Sequence, residues 1–247
     1  MKKTLLLIAV VAFVINGFAQ EEKESYKMYE LMYLTPRTDK LVELGEALAK
    51  HNKEYHNEVP YRAHVWMINT GPHTGDIVWV MGPMTFTDMD SRPDTKEHTE
   101  DWVKNVMPNV KSVSDGEYWK LDEKVSYSPE GSFSGKEIWT VFDIVPFEGY
   151  RFQALLEKVV EVYKQKDYKN YFEVYKNQFR SGNGHDVAIG FGFKNYAFFD
   201  EEDTFWNDYE EVHGEGARWK FFEEFREVVK SSYDEVSEYV PEMSGGE

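Results

Sequence analysis

One stretch of this chain occurs twice, and this repetition restricts the possible folds more than any other feature. Each copy opens with an aromatic strand pattern that ends in proline, continues with a helical pattern, and closes with two strand patterns around a glycine turn. Four landmarks recur at a spacing of 110 residues: Pro36 and Pro146, Tyr61 and Tyr171, Asp76 and Asp186, Gly82 and Gly192. The chain is therefore predicted to be an internal duplication with two similar halves.

The first copy alternates between strand and helix patterns. Strand patterns cover 26–34, 61–70, 76–82 and 116–125, and helical patterns cover 38–55 and 91–110. The second helical pattern is interrupted near Pro108, which cannot donate a backbone hydrogen bond. The order is β-α-β-β-α-β, which is the ferredoxin-like unit.

The second copy repeats this plan from residue 136, and its clearest element is an amphipathic helical pattern over 150–166. From 203 to 239 the pattern is helical with a break near 213–216. Where a fourth strand is expected, residues 231–241 are consistent either with a weak strand or with the end of that helix. This end of the chain departs from the first copy.

The fold class is therefore predicted to be α+β, with two tandem ferredoxin-like repeats. The predicted parts are a signal peptide (1–19), a leader (20–25), a first repeat (26–125), a linker (126–135), a second repeat (136–240) and a tail (241–247). A ferredoxin-like sheet carries helices on one face and leaves the other face in need of a partner. We expect the two sheets to pack together as an α+β barrel with the helices outside.

The N-terminus has the features of a secretory signal peptide. Lys2 and Lys3 precede an apolar run over 4–15, and Ala19 ends a small-residue site. The run is too short to span a bilayer comfortably, so we expect cleavage rather than a membrane anchor, and an exported protein, periplasmic or extracellular. Because the chain has no cysteine, a lipoprotein, disulfides and thiolate metal sites are excluded.

Charge and composition restrict the partners. The formal net charge is −17, which would repel the phosphates of nucleic acids and anionic lipid headgroups. Aromatic residues make up 16% of the chain and favour a packed core with aromatic-lined cavities. The expected partner is a small apolar molecule, without nucleic acid and without membrane insertion after signal cleavage, in a monomer or homodimer.

The duplicated topology, the strand-proline-helix opening and the glycine turn before an Asp-apolar strand together resemble the dimeric α+β barrel superfamily. The resemblance covers about 26–240 and is closer to its duplicated members, the NIPSNAP-like and antibiotic-biosynthesis-monooxygenase-like proteins. It implies small-molecule monooxygenases, haem-dependent enzymes or proteins without known activity. Fold alone therefore leaves the function open.

His64 is the candidate catalytic residue. It lies in a strand pattern, and alternation places it on the same face as Trp66. An imidazole beside an indole on a cavity wall would suit proton transfer or cofactor contact, whereas a buried histidine with satisfied hydrogen bonds is the structural alternative. At a spacing of 110 residues the second copy has Val174, so such a site would exist in the first half only.

The candidate ligand pocket comprises Glu30, Trp66, Trp79, Trp139 and Asp143. The tryptophans are core residues first and pocket walls second. The two carboxylates occur within apolar strand patterns, where each is either buried with a perturbed pKa or turned towards water.

The seven histidines predict no metal site, because none forms a metal-binding motif. His51 and His56 are five positions apart on a helical pattern, which predicts that they point to different sides of the helix. No cofactor is predicted from the residues. The family resemblance implies haem as an alternative, for which a helical histidine would be the ligand, and the candidates are His98 and His213.

Three functions stay open from the sequence. The leading interpretation is an exported small-molecule-binding protein. The second is a monooxygenase without a bound cofactor, or a haem-dependent oxidoreductase. The third is an envelope interaction module that uses its acidic helices to contact another protein.

Overall fold

The computed structural model describes residues 25–246, and their strands close into a barrel. The predicted signal peptide and residues 20–24 of the predicted leader lie outside the described residues. Over the described part of the chain the strands are β1 (Met28–Pro36), β2 (Ala63–Thr70), β3 (Ile77–Met84), β4 (Val110–Val113), β5 (Glu117–Leu121), β6 (Lys136–Ile144), β7 (Phe172–Asn177), β8 (Val187–Phe193) and β9 (Val229–Tyr239).

Eight strands form the closed antiparallel ring in the order β1-β3-β2-β9-β6-β8-β7-β5, and β5 returns to β1. Strand β4 pairs with the end of β1 beside the ring. The first half contributes the order β5-β1-β3-β2 and the second half β9-β6-β8-β7. The two halves meet through the pairs β2–β9 and β5–β7, so the barrel closes within a single chain.

Six α-helices of the described chain, residues 25–246, lie on the outside of the ring. They are α1 (Leu41–Tyr55), α2 (Phe86–Asp90), α3 (Lys96–Asp101), α4 (Gly149–Lys166), α5 (Phe205–His213) and α6 (Ala217–Val228). Helix α3 continues through a π turn (Trp102–Val106) into a 3-10 turn (Met107–Asn109), and further 3-10 turns occupy Glu123–Val125, Tyr196–Asp200 and Pro241–Met243. No helix among residues 25–246 is long and apolar enough to cross a membrane.

Strand alternation divides the side chains between two environments. In β2, Val65 points outward into the core beneath the helices, whereas Trp66 points into the barrel. The outward residues form two cores, one under the helices of each half, and a third apolar cluster lies inside the barrel. The barrel interior is thus separated from both helix layers by the sheet.

Four elements differ from the sequence expectations. The helix predicted over 91–110 begins at Lys96, where the Thr95 hydroxyl accepts a hydrogen bond from the His98 amide at 3.2 Å. The short helix α2 and the strand β4 carry no periodic signal and were not predicted. The helical pattern predicted to reach 239 ends at Val228, and β9 is a strand because β6 and β2 both offer it hydrogen-bonding edges.

Candidate functional site

The barrel encloses a cavity of about 460 Å³. Nine aromatic side chains line it: Tyr29, Tyr33, Trp66, Trp119, Phe133, Trp139, Tyr171, Tyr175 and Tyr239. This volume lies within the range typical of small-molecule sites, about 300–1,000 Å³. The predicted linker also contributes, since Ser128, Ser132 and Phe133 belong to the lining, and the Phe133 ring lies 5.5 Å from that of Tyr239.

The central polar feature of the cavity is the carboxyl group of Glu137, on the inner face of β6. Its Oε2 accepts a hydrogen bond of 2.9 Å from the Tyr171 hydroxyl. Burial raises the pKa of Glu137 to about 8; the Tyr171 hydrogen bond opposes this shift and the nearby charge of Glu173 adds to it. The carboxyl group is therefore mostly protonated at pH 7 and loses its proton slightly above neutrality.

Two glycines of β8 make room for this pair. A Cβ atom at Gly190 would lie 2.7 Å from Oε2 of Glu137, and one at Gly192 would lie 2.1 Å from the Tyr171 ring. The Gly-Phe-Gly sequence of β8 therefore provides the space in which Glu137 and Tyr171 meet. A glycine at alternate positions of a strand is the sequence signal that marks such a close approach.

A second carboxylate, Glu173, lies on the inner face of β7. It accepts a hydrogen bond of 2.7 Å from the Tyr175 hydroxyl. Burial raises the pKa of Tyr175 well above its usual value, and the charge of Glu173 adds to the effect. The centroid of the Tyr175 ring lies 5.2 Å from that of Trp139 and 5.9 Å from that of Tyr29. The Glu173 carboxylate is therefore surrounded by aromatic rings.

One end of the barrel is closed by two glutamate–histidine pairs. The Glu235 carboxylate accepts hydrogen bonds from the backbone amide and Nδ1 of His73, at 3.2 and 2.5 Å, and from the Tyr33 hydroxyl. The Glu117 carboxylate accepts hydrogen bonds from Nδ1 of His185 at 2.7 Å and from the indole of Trp119 at 3.0 Å. These contacts satisfy both carboxylates, so this end is held shut by internal hydrogen bonds.

The structure places His64 and Trp66 in the cavity lining, as the strand alternation predicts. Burial lowers the pKa of His64, and a hydrogen bond with the Gly82 backbone partly offsets this effect. The predicted counterpart Val174 points outward into the core under α4. In the observed register His64 pairs with Val80, and Glu173 pairs with Gly190. Because Val80 and Gly190 are equivalent at the spacing of 110 residues, Glu173 is the residue of the second half that corresponds to His64.

Of the other predicted pocket residues, Trp139 lines the cavity and three do not. Trp79 is on the outer face of β3, where its indole donates a hydrogen bond of 2.9 Å to Asn52. Glu30 is buried on the outer face of β1 and accepts a hydrogen bond of 2.9 Å from Arg92. Asp143 lies at the end of β6 in an ion pair of 3.0 Å with Lys230.

The predicted haem ligands lie away from the cavity. Nε2 of His213 donates to the Lys158 carbonyl at 2.9 Å, and His98 is grouped with His51 and His56 on the outside of the sheet. The expectation that His51 and His56 point apart is wrong. Helix α1 ends at Tyr55, and the non-helical backbone of His56 brings its ring within 5.3 Å of that of His51.

Haem can be tested against the cavity lining directly. A haem carries two propionates, which need positively charged partners, and an iron that needs an axial ligand. Among the described residues the lining offers His64 as an axial ligand, but it holds Glu137, Glu173 and Glu235 and no lysine or arginine for the propionates. A smaller apolar cavity of about 210 Å³ under α4 is lined without histidine in the described part of the chain. Neither lining fits a haem.

Sequence comparison finds no match, since neither a family model nor a curated protein matches this chain. Solved structures do resemble it. An anthrone oxidase-like protein superposes with a TM-score of 0.55 at 13% identity, covering 88% of this chain and 92% of that one. A monooxygenase-like protein from Lactobacillus acidophilus NCFM superposes with a TM-score of 0.55 at 12% identity, covering 90% and 97%.

A chlorite dismutase from Candidatus Nitrospira defluvii, solved in complex with imidazole, also resembles this chain. Its TM-score is 0.52 at 11% identity, and the match covers 89% of this chain and 93% of that one. Likenesses at these identities establish the fold. The protein is thus an α+β barrel, with the architecture of anthrone oxidase-like, monooxygenase-like and chlorite dismutase-like proteins.

Proposed function

We propose that the protein binds a small, uncharged aromatic molecule inside the barrel and exchanges a proton with it at Glu137. The observation that carries this proposal is the Glu137 carboxyl group, seated in an aromatic cavity and titrating near neutrality. A carboxyl group in this state both donates and accepts a hydrogen bond, so it can recognise a carbonyl or a hydroxyl group on the ligand.

Charge in the lining disfavours an anionic ligand. Glu173 and Glu235 would repel an anion, and the aromatic walls suit stacking against a planar ring system. The Ser128–Phe133 part of the linker lies at the cavity and supplies exposed side chains that a ligand would pass or displace. The expected ligand is therefore a planar aromatic compound with a polar oxygen.

Tryptophan fluorescence tests this binding, because Trp66, Trp119 and Trp139 all line the cavity. Anthrone is a suitable first probe, since it is planar, uncharged and carries one carbonyl. We expect saturable quenching by the wild type and about tenfold weaker binding by Glu137→Gln, in which an amide replaces the carboxyl group that bonds to the ligand oxygen and to Tyr171. The matched control is Glu30→Gln, which removes a carboxylate on the outer face. Equal affinity of both variants would contradict the proposed site.

A second function, cofactor-independent monooxygenation, is favoured by the pKa of Glu137. An ionised carboxylate could remove the proton from the methylene carbon of anthrone, and the resulting carbanion reacts with dioxygen to give anthraquinone and one water molecule. The expected rate rises with pH to a plateau above about pH 8, since only the ionised carboxylate acts as a base. Oxygen uptake and anthraquinone absorbance measure this reaction. A rate that persists unchanged in Glu137→Gln would exclude the base, while binding without turnover would leave the binding function alone.

The tandem repeats, the family assignment, the oligomeric state and export are also part of the proposed description of this protein. The equal strand order of the two halves supports tandem ferredoxin-like repeats. The NIPSNAP-like assignment rests on the sequence resemblance and stays a prediction, as do a monomer or homodimer and the envelope interaction module. Export rests on Lys2, Lys3, the apolar run and Ala19. Intact-mass measurement of the protein secreted by its host would test it, with Gln20 expected as the first residue.

A further inference from the structure

Three histidines converge on the outside of the sheet in the first half. His51 belongs to α1, His56 follows its end, and His98 belongs to α3. One ligand nitrogen from each lies within 4.8 Å of the others. His51 and His56 are buried, whereas His98 is half-buried and gives the group contact with solvent. Trp79, on the outer face of β3, packs against His56 with the two ring centroids 5.1 Å apart. The sheet therefore separates the three histidines from the barrel cavity.

Hydrogen bonds determine which nitrogen of His51 is free. Its Nδ1 donates to Oδ2 of Asp101 at 2.8 Å, since a carboxylate only accepts. In a neutral imidazole Nε2 then carries an unshared electron pair. This Nε2 is buried and has no hydrogen-bond partner among the described residues. A buried polar atom without a partner is uncommon and calls for an explanation.

His56 is oriented in the same way by the backbone. Its Nδ1 lies 3.0 Å from the Tyr61 carbonyl and must donate to it, so Nε2 also carries an unshared pair. That Nε2 is 3.2 Å from Nε2 of His98. Two nitrogens bound to one tetrahedral zinc ion, each at about 2.0–2.1 Å, lie about 3.3–3.4 Å apart. The observed separation therefore matches two ligands of a single ion.

We propose that His51, His56 and His98 form a binding site for one divalent transition metal ion of the zinc type, with the three Nε2 atoms as ligands. Three imidazoles suit Zn²⁺ and its neighbours among the transition metals, whereas Ca²⁺ and Mg²⁺ require oxygen ligands. The bonds of His51 to Asp101 and of His56 to the Tyr61 carbonyl are the outer contacts that orient histidine ligands at metal sites.

A site without metal explains less of this geometry. A hydrogen bond from His98 to His56 would satisfy those two rings and leave Nε2 of His51 without a partner. A proton on Nε2 of His51 would not supply the missing contact, because that N–H would have no acceptor among the described residues either. A metal ion satisfies all three nitrogens at once.

Titration of the untagged, chelator-treated full-length chain with Co²⁺ tests the site, because Co²⁺ reports tetrahedral nitrogen coordination in its visible spectrum. We expect one Co²⁺ per chain, displaced by Zn²⁺. His98→Gln is expected to weaken binding at least 100-fold, and the half-buried position of this side chain accommodates the substitution within the fold. Asp101→Asn, which alters only a positioning residue, should weaken binding about 10–100-fold. The matched control His213→Gln, at the end of α5, should bind like the wild type.

In the titration, the metal site would be contradicted by the absence of saturable one-to-one binding at micromolar metal. Equal binding by His98→Gln and His213→Gln would contradict it as well. Nitrogen NMR of the wild-type histidines provides a readout that needs no variant. Zn²⁺ should move the Nε2 resonances of His51, His56 and His98 and leave that of His64 unchanged, and any other pattern contradicts the assignment. Because the barrel cavity lies across the sheet, loss of metal binding and loss of ligand binding are distinguishable.

Discussion

At the scale of single residues, the barrel interior depends on four carboxyl groups and on what each contacts. Glu117 and Glu235 each receive hydrogen bonds from a histidine and at least one other donor, and Glu173 receives one from Tyr175. Glu137 receives only the Tyr171 hydroxyl among the bonds found in the described chain. Glu137 and Glu173 are thus the least satisfied of the four carboxyl groups, and both line the cavity.

The raised pKa of Glu137 predicts a particular dependence of stability on pH. The folded state holds a proton that the unfolded chain releases, so the stabilisation is complete below about pH 4.5 and is lost as the pH rises to about 8. The free energy of unfolding should fall by up to about 1.4 kcal/mol per pH unit in this window from Glu137 alone. Urea unfolding of wild type and Glu137→Gln between pH 5 and 8 measures the difference. Parallel curves for the two proteins would show that Glu137 does not titrate in this range.

Gly192→Ala is predicted to destabilise the protein by about 1–3 kcal/mol, since the new methyl group would overlap the Tyr171 ring at 2.1 Å. The matched control is Gly116→Ala, because a Cβ there meets nothing within 4 Å. Thermal unfolding of both variants is the measurement. A Gly192→Ala protein as stable as Gly116→Ala would mean that Tyr171 can leave its place without cost.

Residue-level inference from the sequence reached part of this site. Alternation along a single strand is sufficient to group His64 with Trp66, and the structure places both in the lining. Glu137 was missed because it lies near the start of β6, where the charged Lys136 precedes it and the local pattern does not predict burial. Its environment is created by Tyr171 and Gly190 from other strands, which local sequence does not bring together.

At the scale of elements, the C-terminal segment after β9 holds the first half of the barrel. The Val65 amide donates to the Ser244 hydroxyl at 2.9 Å, and the Gly245 amide donates to the Ala63 carbonyl at 2.8 Å. A Cβ at Gly245 would lie 1.6 Å from the His56 carbonyl oxygen, so only glycine fits there. The segment predicted as a tail is therefore a packed element beside α1 and β2.

Asn52 links this segment to the core, and Asn52→Ala is predicted to lower the free energy of unfolding by about 2–4 kcal/mol. The Asn52 side chain donates to the Met243 carbonyl at 2.7 Å and accepts from the Trp79 indole at 2.9 Å, so its removal leaves the buried indole and the half-buried carbonyl without these partners. Asn109→Ala, which removes an exposed hydrogen bond to the Asn105 carbonyl, should change stability by less than about 0.5 kcal/mol. Chemical denaturation compares the two, and equal values would contradict the bridging role.

At the scale of the whole molecule, each half of the barrel supplies the edge that the other half lacks. Strand β9 covers β2, and β5 covers β7, so neither half alone buries its inner aromatic face. Trp119 from the first half packs on Trp139 from the second at 5.8 Å in the interior. The third apolar cluster contains residues from both halves, which joins them into one core.

This shared core predicts a single cooperative unfolding transition. Tryptophan fluorescence, which samples both halves, and far-ultraviolet circular dichroism should give coincident urea midpoints. The fragment 26–125 should fail to fold as a monomer, because its inner face and two strand edges would be exposed. Two separated transitions, or a stable monomeric fragment, would show that the halves fold independently.

The sequence by itself determined the order of the main strands and helices up to residue 228, without α2 and β4, because hydrophobic period, proline and glycine act within a few residues of each other. It also determined that the inner faces would be aromatic, since alternation is a local property of a strand. Only the tertiary structure decided that residues 229–239 form a strand, because that depends on edges offered by β6 and β2. It likewise brought Glu137 to Tyr171, and His51 to His98, because contacts between residues far apart in the chain arise from packing and not from local pattern.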